Sequence, residues 1–376
     1  MPDVSDLLLR SNACPVCRGA MQKLIDLPRF PLTEKYEPYA TEFVDRGYYD
    51  QALLFCERCS HGKLEAVVAP AVLYGADYRT RSAGSVGSRV ALERFAAFIG
   101  ETTLNVEAVL DIGGNDASLV ALLPGARKVV VDPHASGDAE VVRSFVEDAD
   151  LLPYKGLRKL IVSSHTLEHL ADPRAFFEKV ASVCCHGDWL AIQVPALEAM
   201  VYRGRFDHVH HQHVNYFSLR SLARLLADYG FSVERHAYDE THWGAGMVMC
   251  RRGDGDRDMK RSLVPSEIVE AYERFRARWE TVDVPIEAIG FGAALMLPVL
   301  SYWLPALDVI DYIADNDRSK DGLRYINFNR PIRCDYDLKD RDVVITAIGT
   351  KLACRELVRQ AFDKGARNVI VPLGML

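Results

Sequence analysis

Between residues 89 and 194 short apolar runs alternate with stretches of helical spacing, and this alternation constrains the fold more than any other feature of the chain. Residues 89–99 place apolar side chains at helical intervals. The segment 106–116 is an apolar strand that ends in Asp111 and opens into the turn Asp111-Ile-Gly-Gly-Asn-Asp116. A helix is predicted over 117–123, then a strand ending in Asp132. Strands over 141–146, 159–164 and 189–194 follow, with a helix over 173–183 between the last two. Such a series predicts an α/β domain with a doubly wound parallel sheet. In such a sheet the first strand–turn–helix unit lies at the topological switch point, where ligands bind. Gly113 and Gly114 let the backbone come close to a ligand there. Asp132 lies roughly 20 residues beyond the first acidic position, the spacing at which a carboxylate meets ribose hydroxyls. Asp111, Gly113, Gly114, Asn115 and Asp132, with Ser164 and His165 at the end of a later strand, are the candidate cofactor-binding residues.

The turn is not the Gly-x-Gly-x-x-Gly of pyrophosphate-binding sites. A sulfonium ligand has no pyrophosphate to cradle, and acidic residues suit its positive charge. S-adenosylmethionine is therefore the expected ligand, with another nucleotide as the alternative. The segment Thr166-Leu-Glu-His-Leu-Ala-Asp-Pro173 is similar to the stretch after the fourth strand of many class I methyltransferases.

Ahead of this domain lie Cys14-Pro-Val-Cys17 and Cys56-Glu-Arg-Cys59. Each pair can form a tight knuckle, and two knuckles supply four thiolates to a tetrahedral zinc ion. Four thiolates leave no open coordination position, so the zinc is expected to be structural. A disulfide pair or a redox motif are the alternatives, and His61 is a substitute ligand of lower rank. The remaining cysteines, Cys184, Cys185, Cys250, Cys334 and Cys354, read as small core residues.

With 376 residues, 49% of them hydrophobic, the chain is long enough for two or three domains. No apolar run reaches the ~18 residues of a membrane span, and the first ten residues carry Asp3 and Asp6. The expectation is no membrane association and a cytoplasmic location. A net charge of -7 without a basic block argues against nucleic acid as a partner.

The segment 206–218 places His208, His210, His211 and His213, four of the eleven histidines, within six residues. Imidazole titrates near neutrality, so such a cluster suits proton transfer or metal binding. The competing reading is a polar loop that is incidentally His-rich. For a catalytic metal, Asp207 is the only carboxylate in the segment.

These motifs together resemble the bacterial zinc-containing sugar C-methyltransferases that act on nucleotide-linked 4-keto deoxysugars. The resemblance runs over most of the chain. It takes in both cysteine pairs, the tyrosine-bearing stretch 74–85, Asp111-Ile-Gly-Gly-Asn-Asp116 and Leu167-Glu-His-Leu-Ala-Asp-Pro173. It continues through His211-Gln-His-Val-Asn-Tyr-Phe-Ser218, Trp243-Gly-Ala-Gly-Met247, Phe291-Gly-Ala293 and Asp315-Asn-Asp-Arg-Ser-Lys320. The resemblance implies that His213 removes the proton beside a ketone and that the enolate attacks the sulfonium methyl. It implies that His169, with Tyr74 or Tyr78, hydrogen-bonds the substrate oxygens. This chain departs from the family at Gln212, where glutamate is usual, and at His210, where tyrosine is common. It departs again at Ala294-Leu-Met-Leu-Pro-Val299, which replaces a lysine-containing turn, and at 325–331, which lacks a Pro-Gly.

After a charged linker over 251–258, a helical stretch over 267–279 leads into a second α/β series. Its strands are expected over 287–292, 309–315, 342–348 and 368–372. The turn Gly290-Phe-Gly292 with Asp315 either binds a second nucleotide or is an inherited fold without a ligand. The organisation expected is a zinc-binding domain over 1–72, an S-adenosylmethionine-binding Rossmann-like domain over 73–255 and a second Rossmann-like domain over 256–376. An O- or N-methyltransferase of another metabolite, with Gln212 orienting the substrate, is the near alternative. A nucleic-acid-binding scaffold is the distant one.

Overall fold

A computed structural model of the chain describes residues 8–73, 86–255, 262–347 and 349–372. Tyr74, Tyr78 and the rest of 74–85 lie outside the described residues.

The N-terminal segment comprises β1 (Leu8–Arg10), β2 (Gln22–Pro31), β3 (Tyr36–Pro38), β4 (Tyr48–Cys56), β5 (His61–Leu64), β6 (Ala66–Val68) and the single turn α1 (Pro70–Leu73). It leads into α2 (Val86–Gly100), β7 (Ala108–Ile112), α3 (Ser118–Ala121), β8 (Arg127–Val131) and β9 (Glu140–Val142). Then come β10 (Lys159–Ser164), α4 (Pro173–Val183), β11 (Trp189–Pro195), α5 (Leu197–Arg203), β12 (Asn215–Tyr216), α6 (Leu219–Asp228), β13 (Phe231–Asp239) and β14 (Ala245–Arg252).

Seven of these strands form one sheet in the order β13-β14-β11-β10-β7-β8-β9. The five strands from β9 to β11 run parallel, and β14 is antiparallel to both neighbours. β7 is buried at all five positions, as a central parallel strand must be. Alternate residues face opposite ways. Val109, Val130, Leu160 and Val162 pack under Phe95 and Ile99 of α2, while Leu110, Val129, Ile161 and Ile192 pack under Phe176 of α4 and Leu225 of α6. Capping fixes where α4 and α6 start. Asp172 accepts from the Arg174 amide ahead of Pro173, and Ser218 exchanges hydrogen bonds with Ser221. The chain therefore reverses its strand order between β7 and β10, with the turns after both strands at one edge.

The first segment does not close on itself. β2, β4 and β5 form an antiparallel sheet whose last strand is β12, from the histidine-rich segment. The C-terminal segment supplies α7 (Pro265–Trp279), β15 (Ile289–Phe291), α8 (Leu297–Trp303), β16 (Ile313–Ala314), β17 (Leu323–Tyr325), β18 (Ile332–Arg333), β19 (Asp342–Ile345), α9 (Lys351–Asp363) and β20 (Asn368–Ile370). Its five-stranded parallel sheet runs β18-β16-β15-β19-β20, and β17 pairs with β3 of the first segment. One core joins Phe30, Phe55, Leu197, Phe206, Phe275, Trp303 and Tyr325, so the three segments share buried surface.

Several expectations need correction. The helix expected over 117–123 is only Ser118–Ala121, because Ala117 takes a left-handed φ of 62° at its start. The strand expected over 141–146 stops at Val142, at the sheet edge, where it has one neighbour to pair with. The strand expected over 309–315 is reduced to Ile313–Ala314, since Pro305 opens a 3-10 turn through Val309. Cys184, Cys250 and Cys354 are buried, but Cys185 is exposed and Cys334 is half-buried, so those two are not core residues.

Candidate functional site

Left-handed backbone at residues other than glycine gathers along the C-terminal edge of the central sheet. Asn115 (φ 46°), Ala117 (62°) and His165 (52°) follow β7 and β10, and Trp243 (60°) lies in the β13–β14 loop. Such conformations cost of order 1–3 kcal/mol each and mark functional sites when they cluster. Both turn glycines are obligatory, though for contacts inside the protein. A Cβ on Gly113 would lie 2.0 Å from Thr166 Oγ1, and one on Gly114 would lie 2.6 Å from Asp111 Cγ.

Asp111 is 1% exposed, and its Oδ2 has no hydrogen-bond partner among the described residues. Burial, with Asp132 and Asp116 nearby, pushes its carboxyl up to about 8. A buried carboxyl raised by neighbouring acids suits a ligand that brings positive charge. Asp132 is half-buried and caps the following turn through the His134 amide. Ser164 donates to Gln193 Oε1 at 2.8 Å, and the His165 amide donates to the Gln193 carbonyl at 2.9 Å. Asp111, Gly113, Gly114, Asn115, Ser164 and His165 thus share one sheet edge.

Next to this edge the histidines form one continuous patch. The ring centres of His210 and His213 are 3.9 Å apart, and those of His169 and His213 are 5.0 Å apart. His169 donates its Nδ1–H to the Gln212 carbonyl at 2.8 Å, so Gln212 meets His169 through its backbone. The Gln212 side-chain Nε2 is buried without a partner among the described residues, as are the Nδ1 atoms of His210 and His213. Burial, reinforced by the neighbouring imidazoles, holds His210 and His213 well below the usual histidine range, so both rings are neutral at pH 7.

A second group continues from the first: His165 to His242 at 5.0 Å, His242 stacked on Trp243 at 4.2 Å, and Trp243 to His208 at 4.8 Å. Asp239 Oδ1 organises the loop that carries His242 and Trp243 by accepting from the Thr241 and His242 amides. The two groups are bridged by Glu168, which is 0% exposed and whose Oε1 lies 3.0 Å from His165 Nδ1.

Glu168 and His242 were not among the residues singled out from sequence. Glu168 sits in a 3-10 turn beside His169, where nothing in the spacing foretells that it points to the cluster. Asp207, the one carboxylate in the His-rich segment, is committed elsewhere: Arg205 grips it through two hydrogen bonds of 2.7 Å. His211 is structural, hydrogen-bonded to Phe30 and Gln51.

The four N-terminal cysteines converge. Sγ–Sγ distances are 3.5 Å for Cys14–Cys59 and 3.4 Å for Cys17–Cys56, and all four sulfurs lie within 4.8 Å of one another. A tetrahedron of Zn–S bonds has edges of about 3.8 Å, so these thiols can hold such an ion. Both knuckles are built alike: the Arg18 amide donates to the Cys14 carbonyl and the Ser60 amide to the Cys56 carbonyl, each with left-handed φ (59° and 57°). His61 is not a ligand; its ring lies within hydrogen-bonding reach of Ser221 and Asn215. In the C-terminal sheet, Asp315 Oδ2 accepts from the Ala293 amide, next to Gly292, at 2.6 Å.

Residues 87–236 match the methyltransferase domain family. That segment is a methyltransferase domain. Its architecture is the Rossmann-like α/β fold of class I S-adenosylmethionine-dependent methyltransferases. The chain is 25% identical over 223 residues to the C-methyltransferase NovU of Streptomyces niveus, a match covering 55% of this chain and 53% of that protein. It thus spans about half the length of the curated relative it matches. Similar solved structures include magnesium protoporphyrin IX methyltransferase of Synechocystis PCC 6803 with bound S-adenosylmethionine. That match has 15% identity and a TM-score of 0.34, and covers 45% of this chain and 81% of that one. The 1,6-didemethyltoxoflavin-N1-methyltransferase of Burkholderia thailandensis gives 17% identity and a TM-score of 0.34, with 46% and 80% covered. No described helix is long and apolar enough to cross a membrane.

Proposed function

We propose that the chain is an S-adenosylmethionine-dependent methyltransferase that methylates carbon beside the carbonyl of a nucleotide-linked keto sugar. The observation that carries this reading is the buried, neutral His210–His213 pair at the sheet edge that also bears Asp111. A carbon next to a carbonyl becomes a nucleophile only after losing a proton, and a neutral imidazole has the lone pair to take it. In this reading the pair removes the proton, with His213 the base that the family resemblance implies. The proton moves to the ring nitrogen as the C–H electrons pass into the enolate. His169, oriented by the Gln212 carbonyl, and the buried Gln212 amide are donors for the enolate oxygen. Tyr74 or Tyr78 completes the set by resemblance. Asp111, Asn115 and Asp132, with Gly113, Gly114, Ser164 and His165, would hold the methyl donor. That donor supplies an electrophilic methyl and a neutral thioether leaving group. Beyond this the protein's task is to align the two reactants.

In the same reading residues 1–72 form a structural zinc module on Cys14, Cys17, Cys56 and Cys59. The C-terminal Rossmann-like segment 256–376 helps to hold the substrate. The test is incubation of purified protein and S-adenosylmethionine with a panel of nucleotide-linked 4-keto sugars, with NMR locating the new methyl. A methyl on carbon supports the proposal. A methyl on oxygen or nitrogen moves the protein to the O- or N-methyltransferases. No turnover of any member removes the sugar.

A further inference from the structure

We infer that Glu168, His169 and His213 form a second, nitrogen–oxygen site for a first-row divalent cation, separate from the four cysteines. One ligand atom from each of the three residues lies within 4.8 Å of the other two, the spread that a single ion can draw together. Glu168 is 0% exposed, yet its Oε2 has no hydrogen-bond partner among the described residues, and neither has Nδ1 of His213, which is 7% exposed. A buried carboxylate oxygen left unpaired costs free energy, and such orphans persist where an ion or ligand takes them up.

The surroundings are those of a ligand set held in place from behind. The other oxygen of Glu168 lies 3.0 Å from His165 Nδ1. His169 gives its Nδ1–H to a backbone carbonyl, which only accepts, so in the neutral ring the lone pair sits on Nε2. A backbone carbonyl on one imidazole nitrogen and a partner on the second carboxylate oxygen are how proteins orient metal ligands. Two imidazoles and one carboxylate suit Fe2+, Co2+ or Zn2+ and leave coordination positions open to a substrate oxygen. At this place the cation is a Lewis acid for the substrate's carbonyl oxygen. That role deepens the methyltransferase reading and rests on it, while the binding site itself does not. A cation here takes up the His213 lone pair, so in the loaded site the proton-accepting role given above to His213 passes to His210, the uncommitted imidazole of the pair.

The probe is Co2+, added to the zinc-loaded full chain and followed by elemental analysis after gel filtration and by visible absorption. The result expected is one equivalent of Co2+ retained beside the zinc, with ligand-field bands and no thiolate-to-cobalt charge-transfer band. Glu168→Gln and His213→Asn, both close in shape to the residues they replace, should abolish this uptake. His165→Ala should weaken it by about ten- to a hundredfold. Circular dichroism and S-adenosylhomocysteine binding are read on the same samples. A wild-type protein that binds S-adenosylhomocysteine but retains no Co2+ outside the cysteines overturns the site and spares the methyltransferase reading. Equal Co2+ uptake by folded Glu168→Gln and His213→Asn also overturns it. Co2+ uptake lost in both variants, in a protein that binds no S-adenosylhomocysteine, supports the site and removes only the Lewis-acid role.

Discussion

Acid should destabilise this protein through His211, by an amount the structure allows to be worked out. His211 joins the methyltransferase domain to the N-terminal sheet. Its Nε2–H donates to the Phe30 carbonyl at 2.9 Å, and its Nδ1 lies 3.4 Å from Gln51 Nε2. The Gln51 amide cannot turn over. Its oxygen accepts from the Ala52 and Ala66 amides, and its nitrogen donates to the Ala66 carbonyl at 2.7 Å. Nδ1 must therefore be an acceptor, and a proton there would set N–H against N–H in a buried place. Burial pulls the imidazole down from 6.5 to about 4. Because the unfolded chain binds the proton more readily, stability rises with pH across this window. The contribution is complete above about 6.5 and is lost as pH falls towards 4. At pH 5 the loss from this residue is about 2 kcal/mol, at 1.36 kcal/mol per pH unit. His208, pulled down to about 3 by burial, acts in the same direction. The assay is urea unfolding of wild type and His211→Gln at pH 7.5 and pH 5.0. The variant should lose about 2 kcal/mol less than wild type between the two pH values. Equal losses in the two proteins would refute the argument that this imidazole is held neutral.

Other consequences are open to simpler tests. His213→Asn should lower kcat by about a hundredfold or more while S-adenosylhomocysteine binding, read by calorimetry, is unchanged; comparable turnover in the two proteins rules out a role in proton transfer. Cys14→Ser should lower the zinc content measured by elemental analysis and loosen the N-terminal sheet; full retention of zinc argues against a four-cysteine site. Asp111, held up to about 8, is protonated at pH 7, and a cationic ligand favours its ionised form. Ligand binding should therefore release a proton, and affinity should climb by up to about tenfold per pH unit from pH 6.5 to 8. Asp111→Asn should flatten that slope, and a slope unchanged in the variant assigns the proton elsewhere.

The central sheet was legible because its strands are buried on both faces and read as unbroken apolar runs, as in β7 and β10. The helix α4 was legible to the residue because Asp172-Pro173 marks its start. The two cysteine knuckles were legible because their chemistry is local. The site was legible where it follows strand ends, at Asp111, Ser164 and His165. It was not legible where distant segments meet. Glu168 reaches the histidines, and His242 and Trp243 complete the patch from a hairpin loop. Pairing of β12 with β5 and of β17 with β3 likewise depends on tertiary contacts between segments that sequence reading treats apart. The glycine turn at Gly292 left a second nucleotide site and a ligand-free inherited fold equally open in sequence, and only the geometry shows that the Asp315 carboxylate accepts from the Ala293 amide there.

The most direct test of the central claim is calorimetric titration of the purified protein with S-adenosylhomocysteine, with NAD as the control ligand. The account predicts tight binding of S-adenosylhomocysteine and none of NAD. Binding of NAD without S-adenosylhomocysteine would contradict it and make the histidine patch part of an oxidoreductase site.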